Sequence, residues 1–155
     1  MDNDIIEISR QFGVFLRRAD RFYCELKDGS GFKMERAAYS LLTRIATGGP
    51  ARLSVLAEDQ GLDLSTVSRQ VAALEAAGLV ARTTDVADRR ASVIAATATG
   101  EDVFARNRAI WQAALHDLLS DWTPGERSEF ARLFASFNEK IAAHKGRGMR
   151  QEITR

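Results

Sequence analysis

Between Asp63 and Arg90 the chain gathers the side chains best equipped for hydrogen-bonding chemistry. Ser65, Thr66, Ser68, Arg69 and Gln70 stand almost side by side, and Asp88, Arg89 and Arg90 follow after a glycine and a short apolar run. Hydroxyls, an amide and guanidinium forks at this spacing suit the reading of another molecule's donor and acceptor edges. None is paired with a base that would turn it into a nucleophile, and no glycine-rich phosphate loop occurs. His116 and His144 stand alone, without carboxylates or thiols at ligand spacing. The expectation is a binding protein: no catalytic residue, no metal, no cofactor, not an enzyme.

The polar cluster shares a front only if it lies on a helix. Asp63 sits where an N-cap belongs, Val67, Val71 and Leu74 recur at helical spacing to bury the opposite face, and Gly78 takes the C′ position. A short helix over Leu53–Gln60, with Leu53, Leu56 and Ala57 inward, precedes it across a turn at Gly61. The pair is a helix-turn-helix candidate. Two short strands, Leu79–Thr84 and Ala91–Ala95, joined by Asp85–Arg90, then predict a β-hairpin, or wing.

Long helices flank this centre. The first covers residues 4 to about 27, with Ile5, Ile8, Phe12, Phe15, Ala19, Phe22 and Leu26 along one face, and ends at the KDGSG break. A second runs from Met34 to about Ala46 and stops at Gly48-Gly49-Pro50. A fifth begins at a cap on Thr97 or Thr99 and reaches about Leu119, with Val103, Ile110, Trp111, Ala114, Leu115, Leu118 and Trp122 on its apolar side. Thr123-Pro124-Gly125-Glu126 predicts a capping box, and a sixth helix follows to about His144 with Phe130, Leu133, Phe134, Phe137 and Ile141 aligned. Residues 146–155 read as a flexible basic tail. The aromatic character shared by both ends suggests that they pack together.

Composition narrows the class. An apolar share of 45% and a charged share of 28% suit a soluble globular chain, with no apolar run long enough for a bilayer. The single cysteine, Cys24, excludes an intramolecular disulfide and fits a reducing cytoplasm, and no secretory signal is legible. Net charge argues against a bulk electrostatic grip on a polyanion: residues 51–91 come to −1, residues 92–139 to −3, and the stretch from Lys140 to +4. Recognition therefore has to rest on particular side chains.

LSTVSRQVAALEAAGLVAR from Leu64 to Arg82, followed by DVADRRASVIAATATG from Asp85 to Gly100, resembles the MarR family of winged helix-turn-helix transcription regulators. The shared pattern is a serine-rich helix start, a leucine-glutamate pair before Gly-Leu-Val, an Asp-Arg-Arg wing, and a threonine and a glycine before the next helix. Val86 stands where the family's wing commonly has proline. The resemblance implies a mainly α fold with a small β-hairpin: one unit over 1–145, in which 34–96 form the winged helix-turn-helix DNA-binding domain and 4–28 and 98–145 the dimerisation helices.

On that reading the protein is a homodimer that binds double-stranded DNA at a pseudo-palindromic operator. It is a cytoplasmic repressor without membrane contact, released by a small aromatic or phenolic effector. Arg69 matches the acceptor edge of guanine, Gln70 that of adenine, and Ser65, Thr66 and Ser68 serve bases or phosphates. Arg90 is placed to enter the minor groove, held by Asp88 as the resemblance implies, with Arg89 on a phosphate. The effector cleft would be lined by Phe15, Tyr39, Arg44 and Trp111, and Phe12, Phe15, Trp122, Phe130, Phe134, Phe137 and Ile141 are the dimer candidates. Cys24 is read as a passive small hydrophobe rather than a redox sensor. The competing reading is a winged-helix protein-interaction module without operator-specific DNA binding.

Overall fold

A computed structural model describes residues 2–30, 34–85, 87–88 and 91–144, with residues 27–30 described by their backbone alone. The expectations for Val86, Arg89, Arg90 and the 146–155 tail lie outside the described residues. The chain divides into two compact units, Met1–Ala114 and Leu115–Arg155.

In the first unit, α1 (Asn3–Ser30) is followed by α2 (Arg36–Gly48), α3 (Leu53–Gln60) and α4 (Leu64–Ala76), then by β1 (Val80–Thr84) and β2 (Ser92–Ala96), and by α5 (Ala98–Leu118), which continues into the second unit. α1 runs past its expected end, through Gly29 to Ser30. A glycine in a helix already many turns long costs only about 1 kcal/mol, because nucleation is behind it. The core of this unit is built from α2, α3, α4 and the strands. Leu41, Leu42, Ile45, Leu56, Val67, Val71 and Ile94 are fully or almost fully buried, each contributing roughly 1.5–3 kcal/mol of burial.

β1 and β2 pair antiparallel, from Val80 opposite Ala96 to Thr84 opposite Ser92. The sheet gains a third member that periodicity did not reveal. Ala51 bridges to Ile94, its N–H donating to the Ile94 carbonyl at 3.1 Å and its carbonyl accepting from the Ile94 N–H at 2.8 Å. A one-residue strand carries no alternation to read. It joins the α2–α3 connection to the middle of β2.

The second half of α1 is covered and the first half is not. Tyr23, off the expected stripe, is buried, and its hydroxyl donates to the Met34 carbonyl at 2.8 Å. Burial, with the nearby Glu35 carboxylate next in weight, pushes its pKa up to about 12, so the hydroxyl keeps its proton. Phe22 and Tyr23 meet Trp111 of α5 with ring centroids 5.6 and 6.0 Å apart. Ile5, Ile8, Phe12 and Phe15 are exposed. Cys24 is exposed too, so it does not serve as a core hydrophobe.

In the second unit the capping box forms as expected at the start of α6 (Pro124–Ala143). Thr123 Oγ1 accepts from the Glu126 amide, and the Glu126 carboxylate accepts from the Thr123 amide at 2.7 Å. Trp122 meets Phe130 edge to face and Phe130 stacks on Phe134, and no residue of α6 is buried. Among the described residues no helix is long and apolar enough to cross a membrane.

One contact fixes where α5 begins. Thr97, rather than Thr99, is the cap: its Oγ1 accepts from the Gly100 amide at 3.0 Å and its hydroxyl donates to the Gly78 carbonyl at 2.6 Å. The Thr97 amide donates to the Leu79 carbonyl at 3.0 Å. Gly100 lies so close to this turn that a Cβ there would stand 2.0 Å from the Leu79 carbonyl oxygen. Backbone on both sides leaves little room for relief. Gly100→Ala is expected to cost about 3 kcal/mol in urea unfolding, whereas Gly125→Ala, whose nearest neighbour would be 4.0 Å away, should leave the midpoint close to wild type.

Candidate nucleic-acid interface

α3 and α4 are joined by Gly61, whose φ of 63° is left-handed and suits glycine, so the chain turns tightly enough to start a new helix at Leu64. Val67, Val71 and Leu74 turn fully inward. Ser65 and Arg69 are consequently exposed, and Thr66, Ser68 and Gln70 are half-buried along the same front. The exposed stripe continues through Ala72, Ala73 and Ala76. Small side chains there keep the rest of the helix slim.

The start of α4 is organised by Asp63. One carboxylate oxygen accepts from the Thr66 amide at 2.8 Å and from the Ser65 hydroxyl at 2.5 Å; the other accepts from the Thr66 hydroxyl at 2.6 Å. The Ser65 and Thr66 hydroxyls, followed by the Thr66 amide, hold the Asp63 carboxyl far below the usual carboxylate range. Both hydroxyl protons are thereby committed to the cap. Toward a second molecule these two oxygens can act as acceptors, and Arg69, whose Nη2 rests 3.5 Å from Thr66 Oγ1, is the strongest donor on this front.

The hairpin is tied at its connecting loop by a residue the sequence reading passed over. Arg52, the N-cap position of α3, donates from Nε and Nη2 to Asp85 Oδ2 at 2.9 and 2.7 Å, and its Nη2 lies 3.5 Å from Asp88 Oδ2. The Ala87 amide donates to Asp85 Oδ1 at 2.9 Å. That bond first, then Arg52, lowers the Asp85 pKa, and Asp85 in turn raises that of Arg52. Asp88, expected to steady Arg90, faces Arg52. The pairing spans 33 positions, so no local pattern announces it; Arg52 beside the Ala51 bridge is the only hint. Arg82 adds a weaker tie to Glu75 of α4 at 3.2 Å.

Of the four expected cleft residues, three come together. Phe15, Tyr39 and Trp111 line a cleft of about 370 Å³ between α1, α2 and α5, with Tyr23, Arg36 and Thr43. Arg44 does not join them. It reaches the other way, its Nε donating to Asp59 of α3 at 2.5 Å. Arg36, ion-paired with Asp20, supplies the cleft's cation instead. The Trp111 indole N–H and the Thr43 hydroxyl are buried without a hydrogen-bond partner among the described residues.

Residues 34–92 match the MarR family model. The chain is 33% identical over 137 residues to the uncharacterized HTH-type transcriptional regulator YxaD of Bacillus subtilis (strain 168), covering 88% of this chain and 94% of that protein. The chain belongs to the MarR family. It is a winged helix-turn-helix, DNA-binding transcriptional regulator of that family, and it shares the family fold with solved structures. A MarR family protein from Bacillus stearothermophilus superposes with a TM-score of 0.79 at 18% identity, over 91% of this chain and 98% of that one. BpsR of Bordetella bronchiseptica, whose DNA binding is regulated by 6-hydroxynicotinic acid, superposes with a TM-score of 0.61 at 22% identity, over 81% and 91%.

The cap makes α4 sensitive to acid. The Asp63 carboxyl is more acidic folded than unfolded, so its stabilisation is complete above the ordinary carboxylate pKa of about 3.9 and is lost as pH falls toward the folded value. Asp63→Asn keeps an acceptor without the charge. The stability gap between wild type and Asp63→Asn in urea should be widest above about pH 5 and shrink on acidification; a constant gap would mean the charge contributes nothing.

Proposed function

We propose that the protein is a homodimeric repressor that reads a pseudo-palindromic operator with α4 and is released by a small aromatic acid or phenol. What carries the DNA-reading part is the arrangement of α4: Val67, Val71 and Leu74 lock its back into the core while Ser65 and Arg69 stand exposed on its front. Arg69 donates to guanine O6 and N7, Gln70 pairs with adenine, and Ser68 meets a phosphate or base. Ser65 and Thr66, with their protons turned to Asp63, accept from cytosine or adenine amino groups. Ala72, one turn beyond Arg69, offers a methyl to thymine. Arg90 enters the minor groove with Arg89 on a phosphate, and Asp88 shares in holding the wing.

Dimerisation is supported by the apolar surface that each unit leaves uncovered. α1 exposes Ile5, Ile8, Phe12 and Phe15, and α6 exposes Phe130, Leu133, Phe134, Phe137 and Ile141. Such stripes on long helices match a partner helix better than water. In this reading residues 4–28 and 98–145 form the interface, and two weakly charged modules together reach the affinity that one lacks. The effector occupies the cleft of Phe15, Tyr39 and Trp111, where Arg36 and the unpartnered Trp111 N–H and Thr43 hydroxyl suit a carboxylate or phenolate on an aromatic ring. The regulation of BpsR by an aromatic acid is in keeping with this.

Arg69→Ala is expected to lower operator affinity about 10- to 100-fold in a mobility-shift titration at fixed salt and to relax selectivity at one base pair in each half-site. Equal affinity and selectivity would take Arg69 out of the interface.

A further inference from the structure

A second cleft, of about 590 Å³, lies between α2, the C-terminal half of α4 and α5, and shares no lining residue with the cleft of Trp111. Its walls are apolar, with Leu74, Leu79, Val103 and Ile110 prominent among them. One polar group interrupts them. Asn107 is 6% exposed, the buried polar residue of the described chain, and it faces this cleft. On α5 it falls between Val103 and Ile110, at a helical spacing where a leucine would complete the stripe. Its carboxamide is not among the fully buried polar atoms left without a partner, so it meets the open cleft rather than a sealed interior. A single amide set among apolar walls is a directional anchor for whatever occupies the cleft.

The cleft's shape and chemistry specify that occupant. Its volume falls within the range of small-molecule sites, roughly 300–1,000 Å³. Its exposed charges oppose each other: Glu35 from the N-terminal side of α2, and Arg106, whose Nε donates to the Asp102 carbonyl at 3.3 Å. An ionic ligand would meet one like charge for each opposite one. A carboxamide offers a donor and an acceptor side by side, so its best complement is another amide edge. We propose that this cleft is a small-molecule site whose ligand is a neutral, ring-sized amide, a primary carboxamide or lactam, that pairs its donor–acceptor edge with Asn107. Leu74 belongs to α4 and Leu79 to the turn that leaves it, so an occupant bears directly on the recognition helix. The site is separate from the effector cleft proposed above and does not depend on it.

Benzamide is the probe, titrated into the isotope-labelled full chain while the Asn107 side-chain NH₂ and Trp111 indole N–H signals are followed by NMR. The Asn107 signals should move and saturate in the millimolar range or below, with the Trp111 signal unmoved. Asn107→Leu, close in volume and compatible with apolar walls, should weaken benzamide about tenfold or more. Benzoate, of the same shape but charged, should bind more weakly than benzamide. Movement of Trp111 alone, no saturation at Asn107, or benzoate binding as tightly as benzamide would each overturn the assignment. Undiminished binding to Asn107→Leu would do so as well. If that variant fails to fold, the wild-type signals still decide.

Discussion

The recognition helix is held at its exit. Two successive carbonyls after α4, those of Gly78 and Leu79, accept from the hydroxyl and the amide of the same residue, Thr97. Gly100 presses against the second of them with no room for a side chain. The end of α4, the return of the hairpin and the start of α5 are thus one backbone junction. α5 cannot tilt at its base without carrying the turn at Gly78 and Leu79 with it. Cores are close-packed and shift between discrete arrangements rather than deforming smoothly, so a junction of this kind passes a displacement on instead of absorbing it. The threonine and glycine that follow the wing in the family pattern acquire a physical reason here.

On the proposed reading, specificity rests on geometry more than on charge. Residues 51–91 carry a slight negative balance, and two of their cations are engaged, Arg52 with Asp85 and Arg82 with Glu75. A nonspecific polyanion grip draws on many cations at once. What α4 presents instead is a short polar front on a helix fixed from both ends, by Asp63 at its start and by the Thr97 junction at its finish. In the proposed dimer, two such fronts would give selectivity from few contacts.

Much of this was legible in the residues. α3 ends at Gly61 and α4 begins at its Asp63 cap and ends before Gly78, the inward face of α4 follows from its spacing, and the capping box at Thr123 forms as its four letters indicate. Each of these signals is local, contained within a turn or two. The departures are tertiary. Ala51 joins the sheet as a single residue; Arg52 finds Asp85 across the fold; Tyr23 is buried because a carbonyl at Met34 satisfies its hydroxyl. Arg44 turned toward Asp59 rather than the cleft because the nearest carboxylate lies on α3. The stripe on α1 was periodic throughout, yet periodicity states which face is apolar and says nothing of what covers it, so only its second half met α5.

The central claim is that two copies of α4 read a symmetric DNA site, and selection of bound sequences from a random duplex pool measures it most directly. The account requires enrichment of an inverted repeat whose half-sites are centred about one helical turn, roughly 10 base pairs, apart. Recovery of sequences no different from the input pool, or of a lone unrepeated half-site, would contradict it.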